Sequence, residues 1–283
     1  VIALLLQQAA SALMSELALS LREARLEARI LLCHALDKPR AWLIAHDRDI
    51  LDAAQANTFT ALLERRLAGE PIAYITGERE FYGLSFKVTS AVLIPRPETE
   101  LLVELALARL PENRPLRVLD LGSGSGAIAI SIARLRPHAA VTAVDVSAAA
   151  LEVARENARR LDAPNVHFMR GAWFVPLPPQ DKFDLIVSNP PYVAECDPHL
   201  ALGDVRFEPV TALASGKDGL DDIRAIVAGA PSHLAPGGWL LFEHGYDQAE
   251  VCSALLRQAG FSEVAGFDDL AGITRVTLGR LKD

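Results

Sequence analysis

The sequence predicts an α/β protein: a mostly parallel sheet covered by helices on both faces, preceded by a small all-α domain. Three observations predict it. From residue 116 on, short apolar runs alternate with helical stretches, the pattern of buried parallel strands joined by crossover helices. The first 70 residues show only three- and four-residue apolar spacing, with no glycine before Gly69. The residues with distinctive chemistry follow directly after the apolar runs, where open parallel sheets bind their ligands.

Taken in order, Leu26, Ile30, Cys33 and Leu36 mark one apolar helix face, and Ala53 to Leu67 repeats the pattern after a break at Asp47-Arg48-Asp49. Residues 1–70 therefore read as a helical domain. The apolar opening Val1–Leu6 soon meets Gln7, Gln8 and Glu16, so it reads as a helix rather than a signal peptide. Residues 71–95 change character. Leu84, Phe86 and Val88 alternate with Ser85 and Lys87, and Gly77 and Gly83 punctuate the run, which predicts a linking β-hairpin. Pro95 and Pro97 end it, and Thr99 with its acidic neighbours starts a helix through Leu110. Residues 96–283 form the α/β domain. Its strands are expected at Val118–Leu121, Val141–Val144, Val166–Met169, Phe183–Val187 and Trp239–Phe242, with two more between Glu263 and Gly279. Helices are expected at Ala127–Leu135, Ala148–Leu161, Leu220–Leu234 and Gln248–Ala259.

The composition, 51% hydrophobic and 23% charged over 283 residues, is that of a globular protein. No apolar run reaches the roughly 18 residues of a membrane span, so no membrane partner is expected. The net charge of −8 argues against a protein that binds nucleic acid directly, because such proteins draw affinity from neutralising phosphates. Cys33, Cys196 and Cys252 form neither a disulfide framework nor a zinc motif, which fits a reducing cytoplasm and no metal.

The first strand runs into Asp120-Leu121-Gly122-Ser123-Gly124-Ser125-Gly126. Glycines let the backbone turn sharply and approach a ligand closely. The dinucleotide fingerprint would place its third glycine at Ala127, a substitution it tolerates, so spacing alone leaves NAD open. A carboxylate at Asp120 would repel a pyrophosphate but suits the cationic amino and sulfonium portion of S-adenosylmethionine. Asp145 ends the second strand, where a carboxylate accepts from both ribose hydroxyls of a nucleoside; the alternative is an N-cap for the helix beginning near Ser147. Trp173 follows the third strand and offers a face for adenine, or else packs in the core.

After the fourth strand comes Asn189-Pro190-Pro191-Tyr192. The prolines lock the backbone, so the Asn189 side-chain oxygen and the Pro190 carbonyl point in fixed directions. Two converging acceptors take both hydrogens of an NH2 group and hold a planar nitrogen toward a methyl donor. Tyr192 stacks on the flat group carrying that nitrogen. Such alignment is worth up to about 7 to 11 kcal/mol in a bimolecular transfer.

With these residues in place the chain resembles the HemK-type protein-(glutamine-N5) methyltransferases that modify peptide chain release factors. The resemblance covers most of the chain. It is carried by Gly77–Gly83, Leu93–Glu100, Asp120–Gly126, Ala143–Asp145, Trp173-Phe174, Asn189–Val193, Phe207–Pro209, Lys217–Leu220 and Glu243–Gly245. Tyr82 departs from it, at a position where tryptophan is more usual. The resemblance implies a Rossmann-like class I methyltransferase sheet with its last strand antiparallel. It implies S-adenosylmethionine as cofactor and the glutamine of a release factor's Gly-Gly-Gln loop as substrate. Gly122, Gly124 and Gly126, with Ser123 and Ser125 between them, would line the cofactor's methionine and ribose. Asp145 would hold the ribose and Trp173 the adenine. Asn189 would contact the substrate amide beside the cofactor, and Pro190, Pro191 and Tyr192 would complete the amide pocket. The helical domain would grip the body of the release factor. Arg96, fixed between two prolines, is a candidate partner for the methionine carboxylate. A ribosomal-protein glutamine methyltransferase, an adenine-N6 nucleic-acid methyltransferase and a non-catalytic cofactor-binding adaptor are the rival readings. Pro97-Glu98-Thr99-Glu100 favours release factors over ribosomal proteins.

Overall fold

The computed structural model describes residues 1–112 and 114–282; Asn113 and Asp283, both in the expected 96–283 domain, lie outside the described residues. The chain divides into two compact units. One is Val1–Glu78 with Ala201–Phe207, and the other is Arg79–Leu200 with Glu208–Asp283.

The first unit contains α1 (Ile2–Leu17), α2 (Leu21–Leu36), α3 (Arg40–Ala45), α4 (Ala53–Leu67) and α5 (Ile72–Thr76). Ser20 and Asp52 start α2 and α4 by accepting from the backbone N–H of Glu23 and Gln55, whose side chains reach back to the cap residues' own N–H groups. Leu13, Leu31, Leu32 and Phe59 are buried together where the apolar faces meet. Burial of such side chains stabilises by roughly 1.5–3 kcal/mol each. The unit runs past residue 70 because α5 follows Pro71 and stops at Gly77, which takes the left-handed conformation. Five residues are too few to display a helical period, so the sequence reading missed it. The segment Ala201–Phe207 belongs here through Arg66. Its buried guanidinium pairs with Glu27 and Asp204, each at 2.8 Å, and donates to the carbonyls of Gly69 and Glu70.

The second unit opens with the hairpin β1 (Glu78–Phe81) and β2 (Leu84–Lys87), whose first residue closes the first unit. Then follow α6 (Glu100–Leu107), β3 (Arg117–Leu121), α7 (Ala127–Leu135), β4 (Ala140–Asp145), α8 (Ala148–Arg160), β5 (Val166–Arg170) and β6 (Phe183–Ser188). The chain ends with α9 (Asp221–Gly229), β7 (Leu234–Glu243), α10 (Ala249–Gln258), β8 (Ser262–Asp268) and β9 (Thr274–Arg280). β3 to β9 form one sheet in the order β5-β4-β3-β6-β7-β9-β8. The pairs from β5 through β7 are parallel, and β9 runs antiparallel to both its neighbours. This is the mostly parallel sheet with an antiparallel last strand that the sequence led us to expect.

Side chains alternate across this sheet. Val118, Leu185, Val187 and Leu241 pack on one face under α6, α7 and α8. Leu119, Leu121, Ile186, Leu240 and Phe242 pack on the other under α9 and α10. Because β5, β4, β3 and β6 are neighbours and parallel, their carboxyl ends share one edge. Gly122, Asp145, Gly171 and Asn189 each lie one residue from, or at, those ends, so the register alone gathers them.

Candidate active site

A cleft of about 320 Å3 opens at this edge, within the range of small-molecule sites. Gly122 and Gly124 line it from β3, Asp145 from β4, Trp173 from β5, and Asn189 and Pro191 from β6. These six were named from the sequence. The cleft also takes in Val146, Ser147 and Ala150, and it is completed by Ala91–Leu93, Pro209, Thr211 and Ala212, which come from loops without periodicity. Part of that wall had a signal: Leu93 and Pro209 lie in two of the stretches that carried the family resemblance.

The glycine turn is fixed to the next strand, since the N–H groups of Gly122 and Ser123 donate to the Val144 carbonyl at 2.9 and 3.0 Å. Gly122, Gly124 and Gly126 have φ of 75°, 52° and 82°, a region open chiefly to glycine. Their roles differ. A Cβ on Gly122 would lie 3.5 Å from the Trp173 ring, so this glycine faces the cleft. A Cβ on Gly126 would lie 2.8 Å from Ile130 Cδ1, so Gly126 permits close packing at the start of α7 and is not on the cleft wall.

Asp145 accepts from Gly124 N–H through Oδ2 and from Ser147 N–H through Oδ1, both at 2.8 Å. The cap of α8 is Ser147, whose Oγ accepts from Ala150 N–H, so capping does not account for Asp145. A carboxylate has about four acceptor positions, so Asp145 keeps acceptor capacity beyond these backbone partners. Asp120 lies deeper than the sequence reading placed it. It is fully buried beneath the turn, its Oδ2 accepts from Ala129 N–H at 3.1 Å, and it does not line the cleft. Its Oδ1 and the Oγ of Ser123 are buried with no hydrogen-bond partner. Ser125 is also buried away from the wall. A glycine turn open to the cleft, the Trp173 ring beside it and a carboxylate with spare acceptor capacity at β4 fit a ligand carrying a nucleoside with its vicinal diol. The donor set therefore fits S-adenosylmethionine.

The motif after β6 is held from several sides. Ser188 Oγ donates to the Leu121 carbonyl at 2.7 Å, tying β6 to the glycine turn. Asn189 Nδ2 donates to Thr99 Oγ1 at 3.0 Å. The Tyr192 hydroxyl donates to Glu243 Oε1 at 3.2 Å, and Gln248 Nε2 donates to the Tyr192 carbonyl at 3.0 Å. Gly219, at φ 74°, passes so close that a Cβ there would lie 2.2 Å from that carbonyl. Burial, with Glu243 alongside, pushes the Tyr192 phenol up, so it stays protonated and donates. Pro190 is buried, and neither it nor Tyr192 is on the wall of the cleft. Arg96 is committed elsewhere than the sequence suggested. Its guanidinium pairs with the buried carboxylate of Glu208, which also accepts from Ile94 N–H at 3.0 Å. That pair braces the loops bearing Leu93 and Pro209.

Three carboxyls here carry raised pKa values, and for Asp145, as for the other two, burial is the main cause. Burial moves both Asp120 and Glu243 up to about 7, from ordinary values of 3.8 and 4.5. A raised folded-state value gives stability that is whole below the unfolded pKa and is lost as pH rises through the folded one. By thermal unfolding the parent should therefore lose Tm relative to Asp120→Asn as pH rises from about 4 to about 7. Equal slopes for the two proteins would remove Asp120 from this account.

A seven-stranded sheet of this order, with a glycine turn, a strand-end carboxylate and Asn-Pro-Pro-Tyr at adjacent strand ends, defines a class I methyltransferase that takes its methyl group from S-adenosylmethionine. A methyltransferase from Pyrococcus furiosus shares the fold, with a TM-score of 0.54 at 20% identity over 79% of this chain and 100% of the other. Residues 5–77 match the PrmC N-terminal domain, and residues 112–262 match a methyltransferase domain. The chain is 56% identical to the release factor glutamine methyltransferase of Bordetella pertussis, over 91% of this chain and 95% of that protein. It is 52% identical to that of Vibrio cholerae, over 91% and 90%. The chain belongs to the release factor glutamine methyltransferase family. Among the described residues no helix is long and apolar enough to cross a membrane, and no group of His, Cys, Asp and Glu gathers as a metal site.

Proposed function

We propose that this chain methylates the side-chain amide nitrogen, N5, of the glutamine in the Gly-Gly-Gln loop of peptide chain release factors, in the cytoplasm. The observation that carries the reading is the Asn189 amide, held by its Nδ2 so that its Oδ1 is left to accept from a substrate NH2 group. S-adenosylmethionine supplies a sulfonium-activated methyl group, so the protein has no electrophile to build. Asn189 Oδ1 and the Pro190 carbonyl accept the two amide hydrogens and orient the nitrogen toward the donor at roughly 3 Å. These hydrogen bonds strengthen as the nitrogen gains positive character, which is differential binding of the transition state. The methylated amide is acidic until it loses its proton, so no strong base is required of the chain. The nearest hydroxyl in sequence, Ser188, is already committed to Leu121. Asp145 and Trp173 hold the nucleoside.

The helical unit is read as the partner-binding part. A cleft between α1, α2 and α3 is lined by Arg25, Arg29 and Arg40 with a single carboxylate, Asp47, and among the described residues none of the three guanidinium groups makes a hydrogen bond or ion pair. Unanswered guanidinium groups suit carboxylates on the body of a release factor.

Labelled S-adenosylmethionine mixed with a release factor, with a Gly-Gly-Ala variant of it, and with duplex DNA tests the reaction. Label is expected on the unaltered factor alone. In the same assay Arg25→Glu with Arg29→Glu should raise KM for the factor about tenfold, roughly 1.4 kcal/mol, with cofactor affinity unchanged. Label on DNA would make this an adenine methyltransferase, and label on neither factor nor DNA, with cofactor still bound, would move the substrate to a ribosomal protein.

A further inference from the structure

We propose that Thr99 and Glu243 are positioning residues that set which way the Asn189 amide faces. Glu243 is the last residue of β7, and sheet alternation puts its side chain on the face shared with Leu241, beneath the start of α6. Thr99 stands immediately before α6 and is itself buried. The Thr99 hydroxyl donates to Glu243 Oε2 at 2.6 Å, and the same Oγ1 receives Asn189 Nδ2 at 3.0 Å. The three residues are far apart in sequence and meet only because α6 crosses the ends of β6 and β7.

A carboxylate only accepts, and a hydroxyl has a single hydrogen. Once Thr99 gives that hydrogen to Glu243, it has only lone pairs for Asn189. Asn189 must then present its NH2 to Thr99, and its Oδ1 is left for the cleft. Tyr192 donates to the other oxygen of Glu243, so both sides of the carboxylate are occupied by donors. One buried charge thus fixes the hydrogen-bond polarity of two residues of Asn-Pro-Pro-Tyr. A buried carboxylate is costly compared with a packed apolar side chain, and its position one hydroxyl away from Asn189 gives that cost a purpose.

The groups facing Glu243 are consistent with a carboxylate that accepts. Arg275, from β9, favours its ionised form, and Thr99 and Tyr192 hydrogen-bond to it; Glu98, from the turn before α6, and burial oppose ionisation. Protonation would put a donor where Thr99 needs an acceptor, freeing the hydroxyl to turn toward Asn189 and letting the amide flip.

The proposal rests on Asn189 as the acceptor of the substrate amide, and the test separates the two. Thr99→Val deletes the hydroxyl at nearly constant volume, and Thr99→Ser keeps it. In the methylation assay Thr99→Val should lose about tenfold or more in kcat, with S-adenosylmethionine affinity by calorimetry unchanged, and Thr99→Ser should stay within about threefold of the parent; these correspond to about 1.4 and below 0.7 kcal/mol. The kcat of the parent should rise with pH through neutrality, and the rise should vanish in Glu243→Gln. A second readout needs no substrate. The Asn189 side-chain NH2, followed by nitrogen-resolved NMR, should exchange slowly in the parent and in Thr99→Ser and at least tenfold faster in Thr99→Val. Equal loss of kcat in the valine and serine variants, or unchanged exchange in Thr99→Val, would overturn the relay. A parent protein that methylates no release factor but shows this exchange pattern would leave the relay standing and remove the substrate reading instead.

Discussion

Asn189→Ala is expected to lower kcat by about 10²- to 10³-fold, the scale seen when one preorganised hydrogen-bonding group is removed from developing charge. Cofactor affinity should change by less than about threefold, under 1 kcal/mol. The split follows from the position of the side chain. One N–H of its Nδ2 goes to Thr99, which turns the NH2 that way and leaves Oδ1 as the acceptor it offers the cleft. Alanine removes that acceptor, leaves Thr99 Oγ1 without its donor, and does not touch the Asp145 end of the site. A substrate nitrogen then binds with one fixed acceptor, the Pro190 carbonyl, and rotates away from the line of transfer. The loss belongs mainly to the transition state, because hydrogen bonds to a neutral amide strengthen only as the nitrogen becomes cationic. Steady-state kinetics with a release factor, alongside calorimetry with S-adenosylmethionine, measures both quantities. Near-normal turnover in this variant would mean that Asn189 does not hold the reacting nitrogen.

Much of this site was legible because it depends on strand ends. An apolar run followed by Gly122, Asp145 or Asn189 marks both the strand and the residue it delivers, and a parallel sheet brings such residues together whatever lies between them. Legibility fell where placement depends on loops or on depth. Asp120 reads as a cofactor carboxylate because it precedes the glycines, but strand alternation turns it to the face of Val118, where α7 covers it and Ala129 N–H takes one oxygen. Arg96 reads as a free cation, and the sequence gives no warning that Glu208 will come to meet it. The pairing of Thr99 with Glu243 spans 144 residues and has no local signature, although both lie in stretches that carried the resemblance. In the first unit, helix periodicity revealed α2 and α4, while five-residue α5 and the arrival of Ala201–Phe207 at Arg66 left no pattern to read.

Asp145→Ala should act on the opposite side of the reaction, raising the Kd for S-adenosylmethionine by on the order of 10²-fold while kcat at saturating cofactor stays close to the parent. A hydrogen bond to a charged group is worth about 1.5–3 kcal/mol, and a vicinal diol makes two, so the two together lie at or above this expectation. The substitution also releases the N–H groups of Gly124 and Ser147, which the carboxylate now holds at 2.8 Å. The Gly124 bond belongs to the glycine turn, so part of the lost affinity will come from loosening that turn. Asp145→Asn separates the contributions. Its single oxygen serves one N–H or one hydroxyl well, and its NH2 opposes the donors on the other side, so an intermediate Kd is expected. Should Asp145→Ala bind within about threefold of the parent, less than 0.7 kcal/mol, the ribose lies elsewhere and Asp145 serves only to shape the loop between β4 and α8. Should Kd rise as expected while kcat also collapses, the cleft would be transmitting the position of the nucleoside to the Asn189 end. The shared backbone makes that coupling physically available, since Val144 O holds Gly122 and Ser123, and Leu121 O holds Ser188.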